Sequence, residues 1–277
     1  MRIGLVTDST ADVPLSIVEQ HDIRVVPALI NIGDESYKDG IDITREEYYD
    51  RLPYLKPTPT TSAPSAGSFQ ERYENLLESG AEHVISIHPP DRLSGIYNAA
   101  RLGAESFGGQ VMVLDGGQVT LGLGFQVMLA AEAIARGLPL EEILSMLENV
   151  RSRSRVIALL DTLEYLRRSG RVSWARAMVG GLLNVKPLVE LRDGIVNRLG
   201  QARTRAQGVL HLTEKLRSWG PIERLAVLHT NAEAAARQLL EDIKPNLAIP
   251  PLIVNVTTTI GTHVGPNGLG FAVITAV

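Results

Sequence analysis

The first half of the chain alternates short apolar segments with helical patterns, and this alternation limits the possible folds more than any other feature. The apolar segments lie at 2–7, 23–32, 83–88 and 111–116. Each interval leaves room for a helix, and the helix pattern after residue 43 opens on Thr44 with Glu47 three residues later, which is a capping box. Such alternation predicts parallel strands covered by helices on both faces.

The second half changes character after Arg151. It has strand patterns at 155–160 and 224–229, a hairpin pattern at 185–200 with the turn signal Asp193-Gly194, and two closing strands. Hairpin and crossover connections together predict a mixed sheet. We therefore expect an α/β fold in two domains, a three-layer N-terminal domain with a parallel sheet (1–153) and a mixed-sheet C-terminal domain (154–277).

Composition excludes several classes of function. Of the 277 residues, 44% are hydrophobic and 21% charged, which is typical of a soluble globular protein. A net charge of -4 offers no general surface for nucleic acid, and zero cysteines exclude thiol catalysis and cysteine-ligated metals. No export signal and no apolar run of ~20 residues is present, so we expect a cytoplasmic protein without stable membrane insertion.

Candidate ligand-binding residues lie in the loops that follow the predicted strands, because open α/β sheets bind ligands beyond the carboxyl ends of their strands. These loops contain Asp8-Ser9-Thr10, Thr60-Thr61-Ser62, Ser94-Gly95 and Gly117-Gln118. Hydroxyls and glycines at helix starts are typical of a site for an anion or a carboxylate. A metal site would require clustered His, Asp or Glu, and we expect none.

Each candidate also has a purely structural interpretation. Ser94 has the position of a helix N-cap, and Thr61 and Ser62 suit a turn before a proline. Arg171 follows a glycine that ends a predicted helix, where a cation suits the helix dipole. His263, between threonines and glycines, is a candidate base, metal ligand, anion ligand or structural histidine, and the glycines around it would let the backbone approach a ligand.

Other catalytic motifs are absent from the sequence. The histidines show no HxxxH or HExxH spacing, and neither LGLG (121–124) nor GPNGLG (265–270) completes a nucleotide-binding fingerprint. No GxSxG elbow is present. A lipid ester hydrolase that uses Ser94 and His263 remains an alternative, although the sequence supplies no obvious carboxylate to orient the histidine.

Five segments in order resemble the DegV family of bacteria, over essentially the whole chain. They are VTDSTAD (6–12), TTSAPSAGSF (60–69), SGIYNAA (94–100), LEYLRRSGRV (163–172) and IGTHVGPNGLG (260–270). The chain departs from the family pattern at Ser169-Gly170, where Gly-Gly is common, and in the segment 115–124, which is rich in serine in the family.

The resemblance implies a protein that binds one long-chain fatty acid between two domains and has no cofactor and no catalytic residue of its own. It implies a partner, a fatty acid kinase subunit related to dihydroxyacetone kinases, which makes an acyl phosphate for phospholipid synthesis. Carried over by motif, the residues around the fatty acid carboxylate are Thr61, Ser62, Ser94, Arg171 and His263. A regulatory module in which the lipid is only a structural filler is a further alternative.

The same residues suit a fatty acid on physical grounds. A carboxylate removed from water needs several donors and preferably a cation, which two hydroxyls, an imidazole and a guanidinium supply. The apolar stretches 126–135 and 175–185, the latter with Met178 and Leu182, are candidates for the walls of a tunnel or for ordinary core.

Overall fold

The computed structural model describes residues 2–177 and 185–276. Its strands are β1 (Ile3–Asp8), β2 (Arg24–Val26), β3 (Leu29–Ile32), β4 (Glu35–Lys38), β5 (Thr60–Ser62), β6 (His83–His88), β7 (Val111–Asp115), β8 (Ser154–Leu159), β9 (Lys186–Arg192), β10 (Ile195–Ala202), β11 (Ile222–His229), β12 (Leu252–Asn255) and β13 (Leu269–Thr275). Its α-helices are α1 (Leu15–Gln20), α2 (Arg45–Arg51), α3 (Ala66–Glu78), α4 (Ile96–Ala104), α5 (Leu121–Ala135), α6 (Leu140–Arg153), α7 (Glu164–Ser169), α8 (Ser173–Ala177), α9 (Arg205–Ser218), α10 (Glu233–Ile243) and α11 (Thr258–Val264).

The first sheet has the strand order β2-β1-β6-β7, and all of its pairings are parallel. Helices α3 and α4 cover one face, where Phe69 and Tyr73 pack with Val84. Helices α5 and α6 cover the other, where Leu147 packs with Ile85. The prediction of a parallel sheet between two helical layers is confirmed.

The second sheet is built entirely from the C-terminal part of the chain, in the order β10-β9-β8-β13-β11-β12. Its pairings are antiparallel except for β11 with β12. Asp193 (φ 51°) and Gly194 (φ 74°) form the hairpin turn between β9 and β10, since a type I′ turn needs positive φ at both positions. The predicted mixed sheet is confirmed. Helix α6 ends at Arg153 where β8 begins, while the division into two domains there stays a prediction.

Helix α5 joins the two sheets. Its residues are apolar apart from Gln126 and Glu132, and 12 of its 15 residues are buried, Leu123 and Val127 towards the first sheet and Phe125 towards the second. Most of the stretch 126–135 is therefore core, and none of it lines the cavity described below. Of the second candidate wall, Ala175 lies in a core cluster, while Met178 and Leu182 lie outside the described residues.

The segment 23–32 is two strands, where a single strand was predicted. Pro27 has no backbone N–H to continue the ladder, and beyond it the chain leaves the parallel sheet. Strand β3 instead pairs antiparallel with β4 and β5, which gives a small third sheet in the order β4-β3-β5. This sheet carries Thr61.

Helix α2 and the small sheet pack against the C-terminal part of the chain. Thr44 caps α2 as predicted and accepts a hydrogen bond from the Glu47 N–H at 3.2 Å. Tyr49 donates to the Val256 carbonyl at 2.8 Å, and the Tyr48 hydroxyl lies 2.5 Å from Thr262 Oγ1. These buried contacts bring β5 alongside α11. Within the described ranges, no helix has both the length and the apolar character needed to cross a membrane.

Candidate functional site

A large apolar cavity lies where the carboxyl edge of the parallel sheet meets a face of the mixed sheet. Its empty volume is about 1170 Å³ with the opening included. Thr10 after β1, Leu93 after β6 and Val119 after β7 come from the parallel sheet, as expected for a site at the carboxyl ends of the strands. Side chains of the mixed sheet form much of the apolar wall, namely Val156, Ala158, Val189, Leu191, Val196 and Leu228, together with Leu160 directly after β8.

Four of the five predicted head-group residues line this cavity, and they come from four separate elements. They are Thr61, Ser94, Arg171 and His263. Ser62 is exposed and does not line the cavity. Neighbouring side chains of a strand point to opposite faces, so when Thr61 faces the cavity Ser62 faces away, where its hydroxyl accepts a hydrogen bond from Asn31 Nδ2 at 3.3 Å.

His263 stands in the last turn of the short helix α11, and its Nε2 lies 2.8 Å from Thr61 Oγ1. Burial of the imidazole, and then the positive charge of Arg171, lower the pKa of His263 from its ordinary 6.5 to about 4. The imidazole is therefore neutral near pH 7. An anion bound beside it would offset both effects and raise its pKa.

Ser94 follows β6 and precedes α4. The N-cap residue of α4 is Gly95, so the predicted N-cap position of Ser94 is wrong by one residue, although its Oγ accepts a hydrogen bond from the Ile96 N–H at 3.3 Å and so still satisfies the first N–H of the helix. Capping uses a lone pair of the hydroxyl oxygen and leaves its proton available. The capping and ligand-binding interpretations of Ser94 are thus compatible, because the same hydroxyl can donate into the cavity.

Arg171 follows Gly170, which ends α7 with a φ of 70° as the sequence predicted. Its Nη1 donates to the Ser169 carbonyl at 2.7 Å. Within residues 2–177 and 185–276 it makes no ion pair with a carboxylate, although many arginines of the chain do. Arg171 is an exposed residue that also lines the cavity, so its guanidinium is available to an anion there.

The geometry does not favour the hydrolase alternative. His263 bonds to Thr61, no contact joins it to Ser94, and no carboxylate of the described chain orients it. A histidine whose pKa is about 4 is also a weak general base at neutral pH. Among the residues that the structure describes, no group of three or more His, Asp or Glu side chains is arranged to hold a metal ion.

Comparison with known proteins identifies the relatives of this chain. The model of the DegV family of uncharacterised proteins matches residues 2–276. The chain belongs to the DegV family. A DegV domain-containing protein of Caldanaerobacter subterraneus is 34% identical over 274 residues, covering 97% of both chains. One from Deinococcus radiodurans is 35% identical over 279 residues, covering 98% of both.

Solved DegV structures share the whole fold. A fatty-acid-binding DegV protein from Thermus thermophilus superposes with a TM-score of 0.91 at 34% identity and covers 100% of both chains. DegV of Bacillus subtilis, a fatty acid binding protein, gives 0.87 at 31% identity, with 100% of both chains covered. A Thermotoga maritima protein whose structure reveals a fatty acid binding function gives 0.87 at 28% identity, also over 100% of both chains.

Two of the glycines near His263 in this DegV protein make room for tyrosine side chains, whereas a third, Gly268, lines the cavity. A Cβ added at Gly261 would lie 2.2 Å from the Tyr49 hydroxyl oxygen, and one at Gly265 would lie 2.3 Å from the Tyr165 ring. Because Gly261 and Gly265 have no side chain, Tyr49 and Tyr165 can pack against α11. No sequence pattern indicated which group would approach them.

Two of the buried carboxyl groups lie next to the cavity, that of Asp8 in a loop already selected from the sequence and that of Asp39, which was not anticipated. Asp8 accepts hydrogen bonds from the Thr10 hydroxyl at 2.5 Å and lies 2.8 Å from Nδ1 of His88, whose Nε2 lies 2.6 Å from Ser86 Oγ. All of these side chains are buried, so this Ser–His–Asp set has no access to a substrate. The second carboxyl group is Asp39, which contacts the start of α11.

Proposed function

We propose that this protein binds a long-chain fatty acid, with its carboxylate at Thr61, Ser94, Arg171 and His263 and its tail in the apolar cavity. The observation that carries the proposal is Arg171, a cation without a carboxylate partner among the described residues, at a cavity whose wall is otherwise largely apolar. Ser62 is left out of the head-group set because its side chain faces Asn31.

The head group and the tail make different contributions to binding. The donors compensate for the loss of water around the carboxylate, which would otherwise make burial unfavourable. Each buried methylene contributes ~0.8 kcal/mol, so a tail of about sixteen carbons supplies on the order of 10 kcal/mol before the costs of association. The wall of the cavity is lined mainly by apolar side chains, which suits a hydrocarbon tail.

Structural relatives support this proposal. The proteins from Thermus thermophilus and Bacillus subtilis are described as fatty acid binding, and they align with this chain from end to end at 34% and 31% identity. Relatives that share the whole fold and bind fatty acids favour the same ligand class for this chain.

The second part of the proposal is that the protein is a carrier and not an enzyme. The sequence has no P-loop or other nucleotide-binding fingerprint, so phosphoryl transfer would fall to a separate ATP-dependent subunit. In this role the protein presents the fatty acid carboxylate to a dihydroxyacetone-kinase-like partner in the cytoplasm, and the acyl phosphate serves phospholipid synthesis.

Native mass spectrometry of the protein purified from a bacterial host tests the binding function. The expected spectrum shows one added mass in the fatty acid range per chain, and consistently empty protein would reject the proposal. The carrier function has its own test, in which a dihydroxyacetone-kinase-like subunit, ATP and palmitate are combined with the protein. Acyl phosphate that forms only when both proteins are present supports the carrier, and its absence favours the regulatory alternative.

A further inference from the structure

The carboxyl group of Asp39 is buried and receives hydrogen bonds from four hydroxyl groups. Asp39 is 3% exposed. Ser9 Oγ donates to Oδ2 at 2.9 Å, Thr259 Oγ1 donates to Oδ2 at 2.8 Å, and Thr258 Oγ1 donates to Oδ1 at 2.5 Å. Thr257 Oγ1 also donates to Oδ2. We call Asp39 and these four residues the threonine hub.

Three of the four donors are consecutive residues at the start of α11. Thr257 is the N-cap residue of this helix, and Thr258 and Thr259 form its first turn. Thr259 and His263 are four residues apart, so they lie on the same face of the helix, and both line the cavity. Asp39 therefore fixes the end of α11 from which the cavity-lining face begins.

Other contacts hold the flanks of α11. Thr262 Oγ1 donates to the Thr258 carbonyl at 2.8 Å and meets the Tyr48 hydroxyl. The two tyrosines packed at Gly261 and Gly265 limit movement of the helix sideways. At the N-terminal end, the Thr257 N–H donates to Asp12 Oδ1 at 3.0 Å, and the hub adds the side-chain attachment and connects α11 to the loop after β1 through Ser9.

We propose that Asp39 is a positioning residue for the head-group site, acting through α11 on His263 and on its hydrogen bond to Thr61. The proposal rests on the function proposed above and goes beyond it, because Asp39 itself does not line the cavity. Each hydroxyl has one proton and gives it to this carboxyl group. An amide at the same place accepts through one oxygen only, and its NH₂ group faces donors, so some hub hydroxyls lose their acceptor and α11 shifts.

The test compares Asp39→Asn with Ser86→Ala. Ser86 is a buried hydroxyl that hydrogen-bonds Tyr73 and His88 away from α11, so its loss controls for a general loss of stability. We expect Asp39→Asn to weaken palmitate binding about tenfold or more at a temperature where the variant is folded. In the ligand-free variant we also expect the pKa of His263, measured by NMR, to rise towards 6.5 as the imidazole gains access to water. Ser86→Ala should lower the Tm and change neither quantity.

An Asp39→Asn variant that loses Tm but keeps the wild-type Kd and the wild-type pKa of His263 would overturn the proposal. If Asp39→Asn does not fold, Thr258→Val replaces it, since it removes one hub hydroxyl with little change in shape. For Thr258→Val, a smaller rise in the Kd for palmitate and in the pKa of His263 supports the proposal, and an unchanged Kd and pKa overturn it. Wild-type protein that binds no palmitate would reject the proposed function instead, while the pKa of His263 in ligand-free protein still tests the role of Asp39.

Discussion

Thr61 Oγ1 lies 2.8 Å from Nε2 of His263, although 202 residues separate the two along the chain. Thr61 comes from the small antiparallel sheet and His263 from α11, so the bond joins the N-terminal and C-terminal parts of the molecule. Both side chains also line the apolar cavity. The bond therefore places a hydroxyl and a neutral imidazole side by side at the proposed carboxylate site.

Thr61→Val should weaken binding of palmitate by about tenfold or more, because the isosteric change removes one hydrogen bond to a charged group. The matched control is Ser62→Ala, whose side chain faces Asn31 and which should keep the wild-type Kd. A fluorescent fatty acid displaced by palmitate measures both values. An equal loss of palmitate affinity in the two variants would contradict the placement of Thr61 at the fatty acid carboxylate.

Arg171→Met should weaken palmitate binding more than it weakens binding of methyl palmitate, because only the free acid carries the charge that the guanidinium pairs with. Arg168→Met is the control, since Arg168 is exposed, pairs with Glu164 and does not line the cavity. The ratio of the two Kd values is the readout. A ratio unchanged from wild type would remove Arg171 from the carboxylate site.

The pH dependence of stability should reveal the neutral state of the partly buried His263. Its pKa in the ligand-free protein is about 4, below the ordinary 6.5, so the unfolded chain binds more protons than the folded one between these values. Stability is therefore lost as pH falls from 6.5 towards 4. His263→Gln lacks this loss, so the Tm of the variant relative to wild type should rise when the pH is lowered from 7 to 5.

The stability contributed by Asp12 changes with pH in the opposite direction to that of His263. The effect of His263 therefore has to be measured by comparing wild type with His263→Gln. Burial raises the pKa of Asp12 to about 6, and the nearby Arg45, 2.9 Å from its carboxyl oxygen, opposes the rise. The folded protein thus binds more protons than the unfolded chain between pH 3.8 and about 6 through this group. Thermal melts of wild type and variant at several pH values separate the two contributions, and a constant difference in Tm would contradict the assignment to His263.

A larger side chain at Ala158 should shift the ligand preference towards shorter acyl chains. Ala158 lies on β8 and lines the apolar wall, so Phe at this position fills part of the space proposed for the tail. The Ala158→Phe variant should lose affinity for stearate relative to laurate, each measured on the same protein preparation. A parallel change in both affinities would show that this wall does not contact the tail.

Periodicity predicted the parts of the fold that are long and regular. The parallel sheet and the hairpin at Asp193-Gly194 follow from apolar segments and turn chemistry that are visible in the sequence. The small sheet was missed because β4 and β5 are short and polar and because Pro27 divides the segment 23–32. Helix α11 was missed because its Thr, Ile and Gly residues are poor helix formers, and tertiary contacts with the tyrosines and Asp39 stabilise it.

The candidate site was predictable as a set of loops but not in its detail. The rule that ligands bind at the carboxyl ends of strands led to Ser94, and the family motifs led to Thr61, Arg171 and His263, all of which line one cavity. The choice between Thr61 and Ser62 depends on the pairing register of a three-residue strand, which no local pattern sets. Asp39 had no sequence signal, because its partners are 30 and 218–220 residues away.

The most direct measurement is the NMR titration of palmitate labelled with ¹³C at its carboxyl carbon and bound to the protein. With the carboxylate beside Arg171 and the donors of Thr61 and Ser94, the bound signal should be distinct from that of free palmitate. It should also stay that of an ionised carboxylate below the ordinary carboxyl pKa of roughly 4. The Arg171→Met variant should restore titration near that value. A wild-type sample without a bound signal, or with a bound signal that titrates like a carboxyl group in water, would contradict the carboxylate site.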